Sequence, residues 1–402
     1  MGRLWQAIEL NKSFVARGVC GQPFSETAAR RPMVYPNAVL SRAEYLRIIR
    51  CLLRFAAGIL NKHRLSVLTG EIRMKLTKIL SAAAVASTAA AISTGVMAQD
   101  RSDWPESFTV GTASQGGTYF TYGSGWANLV SKELGVTGGG EVTGGPMQNM
   151  ALVSTGDLAF GMTTMGPARE SMEGNNPIAP GVELDKACAM FPMYTTPFSV
   201  TVLSSSGIKS IADIPAGAKI GFGPAGSTSD TYFPRMLETL GVDFERRNGG
   251  WSDLAGQLQD GLLDVIAFAA GVPVPAVSQL EVQTDINIIA FTEEEQVKIQ
   301  DAFPVLPHTI PETAYTSLKA PARSVSMWNF AIANCDLPES FVYEAVKVVM
   351  SDHDRMMSIH KAARSTVNAN WDKNTFMPWH PGAAKWFNEN GATIGSGSIY
   401  TK

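Results

Sequence analysis

Histidine and cysteine are scarce in this chain, with five and four residues among 402. The four histidines after residue 300 are His308, His353, His360 and His380. No pair of them has the His-Glu-x-x-His spacing that sets two imidazoles on one helical face against a metal. There is no Cys-x-x-Cys pair, no Gly-x-Ser-x-Gly elbow and no Walker loop. Ser227 has no identifiable base near it in sequence. Catalysis is therefore the weakest of the functional classes, and neither cofactor nor metal is expected. Basic charge is scarce too. From Gln99 onward the chain carries 19 Lys/Arg against 32 Asp/Glu. That balance excludes the basic footprint that nucleic acid needs. There is no fixed-period repeat. Beyond one Ala-rich apolar segment near the start, itself short for a bilayer span, no apolar run is long enough to cross a bilayer.

That one segment is Met74 to Gln99. Lys75 and Lys78 come first, then an Ala-rich apolar run, then Val96-Met97-Ala98 before Gln99. The order is that of a secretory signal with a small-residue cleavage site near Ala98, so residues 74–98 are read as a signal peptide and the remainder as periplasmic. Residues 1–73 carry 12 Lys/Arg and 4 Asp/Glu. They read as a non-native extension from an early start codon, with a basic amphipathic leader around Tyr45–Phe55 as the rival reading. Cys188 and Cys335 remain in the exported body. An oxidising compartment permits them to pair. They are read as lying at opposite ends of two antiparallel crossing strands, with a disulfide there as the alternative and two free or buried thiols favoured over it.

After Gln99, strand-like runs alternate with helix-like stretches, which points to an α/β fold. Strands are expected at Phe108–Thr112, Glu141–Thr143, Asp157–Met162, Lys219–Phe222, Leu263–Phe268, Ile286–Phe291 and Val325–Ala333. Helices are expected at Tyr122–Leu134, Gly145–Ser154, Thr231–Leu240, Leu254–Leu262 and Pro338–Met350. Lys186–Leu203 reads as two strand halves around Pro197.

Two places share one plan. Strands Phe108–Thr112 and Lys219–Phe222 each run into a Gly-Ser-Thr loop and then a helix. Such junctions present unpaired amides backed by the positive end of the helix dipole. Gly116, Gly117 and Gly226 permit close backbone approach, and Ser114, Thr118, Ser227, Thr228 and Ser229 add hydroxyls. Two junctions on two lobes would grip one carboxylate from both sides. Trp251 and Tyr194 are candidate walls for such a cleft, with packing in a lobe core as the equal alternative. His380-Pro-Gly-Ala383 reads as a turn and helix start.

Several stretches together resemble the TAXI group of TRAP-transporter solute-binding proteins. They are Val110–Tyr119, Asp157–Gly161, Ser206–Ile214, Lys219–Thr228, Asp260–Asp264 with Gly271–Pro273, and His380–Ala383 with Glu389–Gly391. The resemblance runs from about Phe108 to Gly391. It implies a two-lobed, type II-like periplasmic binding fold, each lobe a mixed sheet flanked by helices and joined by crossing hinge strands. Lobe I would be 99–197 plus 330–402, and lobe II 198–329. It implies a small carboxylate, such as glutamate or a dicarboxylate, as solute, and TRAP integral membrane subunits as partners. A periplasmic sensor module that passes solute occupancy to a membrane receptor is the alternative. Carried over, the ligand positions are Gly116, Gly117, Thr118, Tyr119, Thr163, Thr164, Met165, Gly226, Ser227 and Thr228. Ser114, Ser229 and Gly271 complete the candidate set. The chain has Gly226-Ser-Thr-Ser229 where the group commonly shows Gly-Ser-Gly-Thr, and Thr163-Thr-Met165 where it often has Gln and a polar partner. A carboxylate-clamping arginine has no clear counterpart; Arg169 and Arg235 are weak candidates that otherwise read as helix-surface residues.

Overall fold

The computed structural model of the chain describes residues 101–402. The signal segment, the basic extension, Cys20 and Cys51 lie outside the described residues. None of the described helices is long and apolar enough to cross a membrane.

The first strand, β1 (Ser107–Gly111), leads through a glycine loop into α1 (Thr118–Leu134). Next come β2 (Thr137–Glu141), α2 (Pro146–Thr155), β3 (Phe160–Thr164) and α3 (Met165–Met172). The long strand β4 (Ala187–Leu203) follows. The next four elements are β5 (Ala218–Gly221), α4 (Thr228–Thr239), β6 (Phe244–Arg247) and α5 (Trp251–Gln259). They are followed by β7 (Val265–Ala269), α6 (Pro275–Gln283), β8 (Ile286–Ile289), α7 (Glu293–Ala302) and β9 (Leu306–Ile310). A second long strand, β10 (Ala322–Asn334), returns the chain to α8 (Glu339–Met350), α9 (His353–Ile359) and α10 (Pro381–Glu389).

The strands are ordered β2-β1-β3-β10-β4-β7-β5-β6, with β8 on β4 and β9 on β10. Two long antiparallel strands hold the two halves together. The first part of β4 pairs with β10, from Ala187↔Asn334 to Pro197↔Ser326. Beyond that point β4 pairs with β7 and β8, while the start of β10 pairs with β9. Each long strand thus serves both halves, giving the two-lobed α/β architecture with crossing strands that the sequence led us to expect. The core divides the same way. One cluster gathers residues from Phe108 to Tyr194 and from Phe330 to Ile394. Two others, between Phe198 and Met327, pack in the second lobe. Pro192 and Pro197 lack the amide for a regular ladder, and the β4–β10 register slips twice, between Trp328 and Phe330 and between Ala331 and Ile332.

Several local expectations need correction. Both site helices begin three or four residues early, at Thr118 and Thr228; the first turn of α4 is polar and hides the apolar period. Strand β2 is Thr-Gly-Gly-Gly-Glu rather than Glu141–Thr143. Strand propensity argues against it, but the Phe108 ring covers Gly138, and a Cβ there would collide with that ring. Strands β6 and β9 and helix α6 had no expectation. Cys188 and Cys335 form a disulfide, with Cα atoms 5.1 Å apart. The expectation of two thiols at opposite ends fails because Cys188 lies at the start of β4 and Cys335 directly after the end of β10, and the antiparallel pairing sets those two ends side by side. Cys188 faces Ala333 across the ladder, which puts Cys335 at the same end. His380 does begin a helix: its Nδ1 accepts the Gly382 amide at the start of α10.

Candidate functional site

The two glycine junctions meet. The loop before α1 and the start of α2 touch the loop before α4 and the starts of α5 and α6 across the lobes through direct hydrogen bonds. Ala276 N donates to the Gly116 carbonyl (2.9 Å), Met147 N to the Gly226 carbonyl (3.3 Å) and Trp251 N to Ser114 Oγ (3.4 Å). Thr118 Oγ1 donates to the Gly271 carbonyl. Gly116 has φ 81°, a left-handed conformation that turns the loop toward the facing lobe. Between the junctions lies a small cavity, about 30 Å³. That is space for water-sized molecules.

Gly117, Thr118, Tyr119, Thr164, Ser227 and Thr228 line the cavity, joined by Ala113, Pro146, Thr196, Trp251, Ala269 and Ala270. Seven candidate residues stand behind this wall. Ser114 and Gly116 are used in the lobe-to-lobe bonds above. Gly271 is the acceptor for Thr118. Ser229 Oγ accepts the Ala269 amide. Thr163 is fully buried in β3 and bonds to the Thr164 carbonyl. Met165 lines a separate surface groove beside Trp328. Gly226 N, expected to face an anion, donates instead to Asp230 Oδ2 (2.9 Å). Asp230 also pairs with Arg246 and accepts from Asn248. An acid in the first turn of α4 thus consumes one amide and part of the dipole. Arg169 pairs with Glu173 and Arg235 with Glu170, both half-exposed and away from the cavity.

Beneath the cavity lies a buried polar hub that sequence reasoning missed. Asn329 sits where the β4–β10 register slips and is completely buried. One side of its amide faces the Tyr194 carbonyl (2.7 Å), which only accepts, so that side is Nδ2; it also donates to Thr196 Oγ1 (2.6 Å). Oδ1 accepts from Tyr119 Oη (2.6 Å) and Thr164 Oγ1 (2.9 Å). With the Thr164 proton committed, the 2.7 Å contact between Thr164 and Thr228 hydroxyls has Thr228 as donor. Burial pushes the Tyr119 hydroxyl well above its usual value, against a smaller lowering by Thr164, so it stays a donor. The remaining wall hydroxyls are also committed: Ser227 Oγ donates to Phe222 O. The Thr196 proton and the Trp251 indole N–H have no acceptor among the described residues, and both groups line the cavity. With the uncapped first-turn amides of α1, they are the donors open to a solute. The only signal for Asn329 in the sequence was a lone amide in the apolar run Val325–Ala333.

No cluster of three or more His, Cys, Asp or Glu side chains is placed to hold a metal among the described residues. The cavity wall carries no charged side chain.

A sequence profile of the NMT1-like family matches residues 110–391. The fold is similar to that of MatC from Rhodopseudomonas palustris with bound malate, at 14% identity and TM-score 0.44, covering 64% of this chain and 88% of that one. It is similar to the periplasmic binding protein BugD, at 15% identity and TM-score 0.45, with the same coverages of 64% and 88%. An ancestral arginine-binding protein bound to arginine matches at 13% identity and TM-score 0.42, over 64% of this chain and 97% of its own.

Proposed function

The chain belongs to the NMT1-like family, and on that footing we propose that it is a periplasmic solute-binding receptor of a TRAP-type transporter, of the TAXI kind. In this reading it captures a small organic anion between its lobes and delivers it to membrane subunits. The lobes are 99–197 with 330–402, and 198–329, and the leader is removed near Ala98. The observation that carries the reading is the meeting of two strand–glycine–helix junctions, one from each lobe, over a single cavity. Helix beginnings hold negative charge by main-chain amides without a cation. Here the first-turn amides of α1, the Thr196 hydroxyl and the Trp251 indole would hold a carboxylate such as glutamate or a dicarboxylate.

Closure follows from the same contacts. Thr228 reaches Thr164, and Thr118 reaches Gly271, only when the lobes are together. A solute that bonds to the α1 amides of one lobe and to Trp251 of the other binds the closed state better and shifts the population toward it, with β4 and β10 as the hinge. The test is a thermal-shift screen of the secreted protein against small carboxylates, amino acids and keto acids, followed by calorimetric titration of the hits. A carboxylate should bind and be recovered unchanged. Thr196→Val and Trp251→Phe should each weaken it by about tenfold, the worth of one hydrogen bond to a charged group. Binding of neutral solutes only, or affinities unaltered in both variants, would overturn the reading.

A further inference from the structure

We propose that a second anion site lies on the flank of the crossing strands, in a groove of about 240 Å³ lined by Tyr194, Thr195, His308, Thr309, Arg364 and Ser365. None of its lining residues belongs to the interlobe cavity. Its ligand is a small oxyanion with two oxygens to offer a guanidinium, of the size of inorganic phosphate or sulfate.

Three observations converge on this groove. First, seven of the eight arginines among the described residues pair with a carboxylate or donate to a carbonyl. Arg364 has no such partner among the described residues, although acidic side chains outnumber basic ones in this body. The groove lining contains no carboxylate. Second, His308 on β9 shares the groove with Arg364, and burial together with the Arg364 charge lowers its pKa. Two nitrogen-bearing groups therefore face one hollow with nothing to neutralise the guanidinium. Third, the lining adds the hydroxyl-bearing residues Thr195, Thr309 and Ser365, which can donate to an anion beside the guanidinium.

The groove is also placed to matter. Arg364 and Ser365 follow α9 in the first lobe, His308 and Thr309 lie on β9 in the second, and Tyr194 and Thr195 sit on β4 where it crosses between them. An oxyanion bonded to Arg364 and to Thr309 or His308 ties the lobes together from outside the solute cavity, and so favours the closed arrangement.

The test is calorimetric titration of the full chain with inorganic phosphate, and separately with sulfate, at constant ionic strength against a chloride control. One or both anions should bind the wild type. Arg364→Gln, an exposed position, should weaken binding by at least about tenfold, as loss of a charge-assisted pair does. His308→Gln should weaken it less. Thr196→Val, which acts in the interlobe cavity, should leave phosphate binding in place. Equal affinity in Arg364→Gln, an absence of binding by both anions, an equal response to chloride, or loss of phosphate binding in Thr196→Val would each overturn the proposal. The last result would place the anion in the solute cavity and leave the receptor reading standing.

Discussion

Replacing Asn329 by Leu tests whether the hub beneath the cavity holds the crossing strands together. The side chain makes four hydrogen bonds, to the Tyr194 carbonyl, Thr196, Tyr119 and Thr164. At a net worth of about 1 kcal/mol per bond, their loss costs about 4 kcal/mol. Some of that returns, because Tyr119 and Thr164 are 3.2 Å apart and can re-pair with each other. The Tyr194 carbonyl and the Thr196 hydroxyl have no such substitute in their own surroundings. A net destabilisation of about 3 kcal/mol in a body of this size lowers Tm by about 5 °C. Differential scanning calorimetry reads it directly, with Val282→Ala, at an 85% exposed site, as the neutral control. Solute affinity should fall too, because freed Thr196 and Thr164 hydroxyls no longer hold fixed directions. A Tm within about 1 °C of wild type would refute the reasoning, since no interior amide with four working bonds is that dispensable.

Other outcomes are expected from the same geometry. Reducing the Cys188–Cys335 bridge, or replacing both residues by Ser, should cost about 2–5 kcal/mol, because the bridge closes a loop of 147 residues; alkylation of both thiols in the unreduced protein would contradict the bridge. Gly271→Ala should hold the lobes apart, since a Cβ there lies 2.7 Å from Tyr194 Cδ2 and 3.1 Å from Thr118 Cγ2; small-angle scattering should show a larger radius with solute present, and an unchanged radius counts against the clasp. Burial lowers the His380 pKa to about 4 from 6.5, with the Leu337 carbonyl opposing. The unfolded chain therefore takes up its proton first, and stability present above pH 6.5 is lost as pH falls toward 4, by about 3 kcal/mol. His380→Asn keeps a cap acceptor and should flatten that slope in denaturant titrations; equal slopes would show that His380 titrates normally.

Both glycine junctions were legible in the sequence, because a strand, a Gly-Ser-Thr loop and an apolar period are local patterns. So was the alternation of strands and helices that makes an α/β fold. The start of α4 was obscured because Thr228, Ser229 and Asp230 are chosen for caps and cavity contacts rather than for a helical period. Strand β2 was illegible because three glycines carry no strand signal; the Phe108 ring requires one of them.

The sequence by itself determined the alternation of strands and helices and the two strand–glycine–helix junctions, since these are patterns of neighbours along the chain. Tertiary structure decided which donors remain open. Asn329, Thr196 and Tyr194 lie within about 135 residues of one another in sequence, yet only the slipped antiparallel pairing of β4 and β10 brings them under one cavity. The same pairing joins Cys188 to Cys335. Asp230 likewise consumes an amide that a reading of the loop alone assigned to the solute. A hydroxyl's role depends on where its single proton goes, and that is settled by partners the chain delivers from far away.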